Sequence, residues 1–178
     1  VGPAPLRRPI LFALALAVAA TLGVVAVVGL TRPSSALIAR DKPAPDVVGT
    51  TLDGTPFRLA DLRGHPVILN FWGPTCDPCR AEFPLLKSKL TEHAADGLVV
   101  VGILMDDPPD LALKFIAEEG ATWATVSDPD GALKAAYRVI ARPQSYFIDR
   151  NGILRAIQIG EVRDVDFEHQ YTLISGGS

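Results

Sequence analysis

The chain reads as an α/β domain, a central mixed sheet flanked by helices with a β-hairpin extension at its N-terminal side. Three observations predict this. Val67-Ile68-Leu69-Asn70-Phe71 and Leu98 to Leu104 are short, near-continuous apolar runs, the pattern of central strands covered on both faces. A helical stretch to about Glu92 lies between them, which makes a right-handed βαβ unit of parallel strands. Tyr146 to Ile148 and Ile153 to Ile159 flank Asp149-Arg150-Asn151-Gly152, whose Asn-Gly suits a hairpin turn and therefore an antiparallel pair in the same sheet.

Taken from the N-terminus, the first segment belongs to a different environment. Ile10 to Leu30 is an uncharged run of 21 residues, the length that crosses a bilayer core and longer than the apolar core of a signal peptide. Arg7 and Arg8 precede it, so residues 1–9 are expected in the cytoplasm, 10–30 as a single membrane anchor and the following domain outside. Arg32 on the far side works against that orientation, and Ser34-Ser35-Ala36 offers the small residues of a cleavable signal as the alternative. Residues 31–45, rich in Pro, Ser and Ala, read as a linker.

The domain proper is expected over 46–178, large enough to bury its own core. Val47 to Leu59 contains two extended stretches around Asp53-Gly54, a hairpin signal. Pro109 to Glu119 reads as a helix with Leu111, Phe115 and Ile116 inward, closed by Gly120. A short helix is expected over Asp130 to Tyr137 and a last one over Val165 to Ile174. All 20 acidic residues lie from Asp41 onward against 13 of the 17 basic ones, which disfavours a nucleic-acid partner.

The only two cysteines, Cys76 and Cys79, are spaced Cys-x-x-Cys between the first apolar run and a helix. A helix start favours the thiolate, which is the form that attacks disulfides. Residues three apart on a helix lie close enough to close a disulfide, and Pro78 in the first turn gives up only an N–H that had no partner. Cys76, nearer the turn, is the expected attacking thiol, and Cys79 the more buried resolving one. A static staple would close too small a loop to stabilise much. A tetrahedral zinc needs about two further ligands, and His65, His93 and His169 stand at no ligand spacing, so no metal is expected. The dithiol chemistry requires no cofactor.

These residues carry a resemblance. Asn70-Phe71-Trp72-Gly73 leading into Cys76-Asp77-Pro78-Cys79, then Glu82-Phe83-Pro84, Ser127-Asp128-Pro129-Asp130-Gly131, Tyr137, Pro143 and Phe147 to Gly152 resemble the membrane-anchored thioredoxin-like reductases of the TlpA/ResA type, in the redoxin superfamily. The resemblance implies a thioredoxin-like fold and a thiol-disulfide oxidoreductase that reduces disulfides of exported proteins, apo-cytochrome c among them, and is itself recharged by a membrane thiol electron donor. It implies that Pro143 is a cis-proline facing the cysteines, where chain chemistry alone makes it a loop proline. It also implies that Trp72, Thr75 and Arg142 join Pro143 at the substrate-facing surface. Pro84 in the helix interior removes a hydrogen bond, and a bend is expected there.

The chain departs from the resemblance at two positions. Thr75 stands where an aromatic residue usually precedes the first cysteine, and Arg142 where a small or apolar residue precedes the proline. Arg142 is read either as a cation favouring the Cys76 thiolate or an acidic partner, or as a solvated loop residue. Asp77 and Pro78 between the cysteines are expected to tune the redox couple, the Asp77 charge opposing the thiolate. Asn70 replaces the buried aspartate of cytoplasmic thioredoxins and cannot titrate. Glu82, one helical turn beyond Cys79 and matched by a glutamate in the similar reductases, is the expected proton acceptor.

Rival functions are a peroxidase, a disulfide-introducing oxidase and, of another class, a tethered copper-binding module. The peroxidase loop Pro-x-x-x-Thr-x-x-Cys is absent, and Arg138 to Tyr146 holds no histidine for copper. Oxidase and reductase share the motif and differ in reduction potential.

Overall fold

The strand Val67–Trp72 is the axis of the domain, every one of its residues buried. The computed structural model describes residues 38–176. In chain order its elements are β1 (Lys42–Pro43), β2 (Val48–Thr50), β3 (Pro56–Arg58), β4 (Val67–Trp72), α1 (Asp77–Glu92), β5 (Val99–Leu104), α2 (Pro109–Glu119), β6 (Thr125–Ser127), α3 (Ala132–Ala136), β7 (Gln144–Ile148), β8 (Ile153–Ile159) and α4 (Asp164–Ser175), with a 3-10 turn at Leu59–Leu62. Six strands make one mixed sheet in the order β1-β8-β7-β4-β5-β6, while β2 and β3 form the separate hairpin. β4, β5 and β6 run parallel, and β7 lies antiparallel to β4.

Alternation along β4 divides the core into two layers. Ile68 and Trp72 point to one face, where Phe83 and Leu86 of α1, Ala112 and Phe115 of α2, and Phe167, Tyr171 and Ile174 of α4 close over them. Val67, Leu69 and Phe71 point to the other, against Val101, Ile103, Tyr146 and Tyr137, with Val47 and Leu59 covering that side. Trp72, Phe83, Phe115 and Trp123 form an aromatic cluster with ring centroids 4.6 to 5.7 Å apart. Such pairs contribute roughly 0.5 to 1.5 kcal/mol each beyond the area they bury.

The expected hairpin, βαβ unit, antiparallel pair and helices are all present, with four adjustments. The linker does not extend to residue 45: Lys42 and Pro43 pair with Leu154 and Ile153, and the N–H groups of Asp41 and Ala44 bond to Leu154 and Gly152. Pro43 lacks a donor, which an edge strand tolerates. In α2 the small Ala112 is wholly buried beside Phe115, while Leu111 is 43% exposed. Both positions fit a 3.6-residue stripe with Phe115, and the roll of the helix chooses the residue that allows closer approach. The Asp149 to Gly152 connection is a tight turn centred on Arg150-Asn151 rather than on Asn151-Gly152: the Gly152 N–H donates to the Asp149 carbonyl at 2.7 Å, and Asp149 Oδ1 accepts from the N–H groups of Asn151 and Ile153. Finally, Phe147 opposes Ala156 while Ile148 opposes Leu154, so a bulge at Arg155 frees its guanidinium for Asp149 and Asp41.

Among the described residues no helix is long and apolar enough to cross a membrane. The anchor expected at 10–30 lies outside them.

Candidate active site

The parallel strands β4 and β5 end at the same edge of the sheet, and the loops leaving them meet the loop that enters β7. The cysteines lie at that junction. Cys76 is the N-cap of α1, in extended conformation, and its Sγ accepts a hydrogen bond from the Cys79 N–H at 3.3 Å. A sulfur thus takes the place of the oxygen that usually satisfies a first-turn donor. Pro78 occupies the first turn, where no N–H is missed, and Asp77 beside it is exposed. Cys76 and Cys79 are joined in a disulfide with Cα atoms 5.2 Å apart. Cys76 keeps 8% of its surface exposed and Cys79 none, so attack from outside reaches Cys76 first.

The Arg142-Pro143 peptide is cis. The Arg142 carbonyl oxygen lies 3.5 Å from Cys76 Sγ, which sets this backbone directly at the disulfide. Pro143 is buried.

Behind the cysteines Glu82 is 1% exposed. Its Oε1 accepts from Asn70 Nδ2 at 2.7 Å and its Oε2 from the Val162 N–H at 2.9 Å. Burial pushes its carboxyl up to about 7; the two donors work against that rise, and the nearby Glu161 charge adds to it. A carboxyl that titrates near neutrality, one turn along the helix from the wholly buried Cys79, can take up or give a proton there. Asn70 Nδ2 also donates to Ser145 Oγ at 2.9 Å, and Asn70 Oδ1 accepts no hydrogen bond among the described residues.

Trp72 corrects one expectation. It is wholly buried and packs on Phe83 and Phe115, so its ring is core and does not line the substrate-facing surface. The alternation of β4 dictates this, since residue 72 shares its face with Ile68. Arg142 is not a solvated loop residue: its Nη1 donates to Asp107 Oδ2 at 2.8 Å and to the Met105 carbonyl at 3.0 Å. Thr75, exposed at the rim, donates its hydroxyl to Asp107 Oδ1 at 2.7 Å.

Asp107, Ser145 and Val162 were missed from the sequence. A weak signal existed for Asp107: once β4 and β5 are taken as parallel neighbours, the loops at their C-terminal ends must lie side by side, and Asp106-Asp107 opens the second. Val162 contributes only a backbone N–H, which no side-chain pattern reveals.

Residues 40–157 match the AhpC/TSA family. The chain is 34% identical over 131 residues to the thiol-disulfide oxidoreductase ResA of Geobacillus kaustophilus, covering 74% of this chain and 75% of that one. It is 36% identical over 129 residues to the thiol:disulfide interchange protein DsbE of Pseudomonas aeruginosa, with 72% and 69% covered. A crystal structure of a putative DsbE from Chlorobium tepidum superposes with a TM-score of 0.71 at 32% identity, over 78% of this chain and 99% of that one.

Proposed function

The chain belongs to the AhpC/TSA family of redoxins and is a thiol-disulfide oxidoreductase with a thioredoxin-like fold, and we propose that it works as a reductant of protein disulfides outside the cytoplasm, held to the membrane by residues 10–30. The observation that carries the exchange chemistry is the Cys76-Cys79 disulfide at the start of α1, with the outer sulfur bonded to a helix N–H and a buried carboxyl one turn behind the inner one.

In the reduced protein the Cys76 thiolate attacks one sulfur of a substrate disulfide. A mixed disulfide forms, the substrate S–S bond breaks, and the departing substrate thiolate takes a proton from water. Cys79 then loses its proton to Glu82 and attacks Cys76 Sγ. This closes the Cys76-Cys79 disulfide and releases the second substrate thiolate, so two electrons pass to the substrate. Asn70 and the Val162 N–H hold the Glu82 carboxylate that receives the proton. The backbone of Arg142, its carbonyl 3.5 Å from Cys76 Sγ, offers polar groups to which a substrate segment can bond beside the attacking sulfur. A membrane thiol donor returns the two electrons by the same exchange in reverse. An exported protein disulfide such as that of apo-cytochrome c is the substrate class that fits a tethered domain carrying no cysteines beyond the working pair.

Equilibration with glutathione, combined with an insulin-reduction assay, tests the direction. A potential below that of the glutathione couple and catalysed reduction support the reductant, whereas a markedly more oxidising couple makes the protein a disulfide donor. The C79S variant should accumulate mixed disulfides and C76S should not; equal trapping by both would reverse the two roles. A phosphatase fused after residue 178 should be active if the domain is exported, and an inactive, stable fusion refutes that location.

A further inference from the structure

Thr75 and Arg142, the two positions at which the chain departs from the resemblance, meet on a single carboxylate. Asp107, whose side chain is 6% exposed, accepts from Arg142 Nη1 at 2.8 Å. It also accepts from the Thr75 hydroxyl, at 2.7 Å on Oδ1, with Oδ2 at 3.0 Å from that hydroxyl and 3.4 Å from the Thr75 N–H. Arg142 Nη2 closes the ring by donating to Thr75 Oγ1 at 3.2 Å. Three loops that are far apart in sequence are therefore tied across the rim of the disulfide. The backbone makes room for the tie: a Cβ at Gly73 would lie 2.2 Å from Asp107 Oδ2 and 2.5 Å from Arg142 Nη1.

The position of this ring relative to the sulfur gives it a consequence. The carbonyl of Arg142 itself lies 3.5 Å from Cys76 Sγ, so the guanidinium of the same residue is within reach of the sulfur once released. In the folded protein its bonds to Asp107, Met105 and Thr75 hold it on the rim, with its charge neutralised. We propose that Asp107 is a positioning residue that restrains Arg142, withholding a cation from the Cys76 thiolate and thereby keeping the couple reducing. The proposal rests on Cys76 being the attacking thiol.

The other charges around Cys76 are accounted for. Asp77 follows it on α1 and is exposed. Arg80, one turn on, donates to the Pro74 carbonyl at 3.4 Å and lies over the Phe115 ring at 4.4 Å. Glu82 is bonded to Asn70 and Val162 behind Cys79. Among these charged groups, only Arg142 combines a backbone atom at the sulfur with a side chain held elsewhere by a removable partner.

The test compares the reduced, detergent-solubilised full chain as wild type, D107N, R142M and the double variant, following thiolate absorbance against pH and the glutathione equilibrium. A charge released beside a thiol shifts its pKa by about one unit when partly solvated. D107N should therefore lower the Cys76 pKa by about one unit and move the glutathione equilibrium toward the dithiol. R142M should raise the pKa, because it leaves the Asp107 charge unpaired, and the double variant should return close to wild type. Shifts of the same sign in both single variants, or a D107N shift that survives in the double variant, would overturn the proposal. If D107N does not fold, R142M decides alone, since an unchanged or lowered thiol pKa refutes the clamp. Trapping by C79S is read separately, so a failed clamp and a failed assignment of the attacking thiol give different results.

Discussion

Asn70 and Glu82, twelve residues apart and both buried, are joined by a 2.7 Å hydrogen bond from the Asn70 amide to the Glu82 carboxyl. A residue that cannot titrate thus holds one that does, in the interior directly behind the cysteines. The buried carboxyl is stabilised as an anion by this donor and by the Val162 N–H, and still burial dominates and raises it.

That rise makes stability depend on pH in a definite direction. Glu82 goes from 4.5 to about 7 on folding, so the folded chain holds a proton that the unfolded chain releases across that interval. The contribution is complete below the lower value and is lost as pH rises through the upper one, amounting to roughly 3 kcal/mol at most. E82Q carries no such proton. Urea unfolding at pH 5 and pH 8 should therefore show wild type losing more stability than E82Q between the two. An identical loss in both proteins would show that Glu82 titrates in the folded chain as it does in water.

Gly102, in the middle of β5 between Asn70 and Thr125, leaves no room for a side chain. An added Cβ would stand 2.7 Å from Trp72 Nε1 and 2.8 Å from Thr125 Oγ1. Both neighbours are packed in the sheet core and buried, so relief requires moving the strand or the indole. G102A should cost about 1 to 3 kcal/mol, the usual range for overpacking, and should disturb Trp72 fluorescence. A melting temperature equal to wild type would mean that the sheet accommodates the methyl group.

Lys89 fastens α1 to α4. Its ammonium lies 2.9 Å from Asp164 and 3.0 Å from Glu92, contacts Glu168, and is only 8% exposed, and these carboxylates hold its pKa above the usual lysine value. The partners are 46 to 71% exposed, so solvent and salt screen much of the attraction. K89M should destabilise by about 1 to 2 kcal/mol at neutral pH and low salt. The difference from wild type should shrink below pH 4, where the carboxylates take up protons, and in molar salt. A deficit independent of both would assign the effect to packing of the lysine stem.

Much of the site was legible because it is local. Cys76 and Cys79 lie three residues apart at a helix start, and the placement of a sulfur at the N-cap follows from that spacing and from Pro78. Glu82 lies one further turn along the same helix, so its common face with Cys79 is a matter of helical period. The strand runs from Val67 and Leu98 and the closure of α2 at Gly120, in the left-handed conformation, are equally short-range.

The redox pair, the helix that presents it and the class of sheet behind it are thus legible along the chain, since each shows in patterns spanning a few residues. The surroundings of the sulfur depend instead on contacts between distant segments. Asp107 meets Thr75 across 32 positions and Arg142 across 35, and Val162 reaches Glu82 across 80. Trp72 became core, and Ala112 displaced Leu111 from it, through the register of a strand and the roll of a helix. Composition and periodicity specify which face of an element is apolar, but the partner across a loop junction is selected by which strands lie parallel and where they end. The two unusual rim residues read as separate departures along the chain, and folding makes them ligands of one carboxylate.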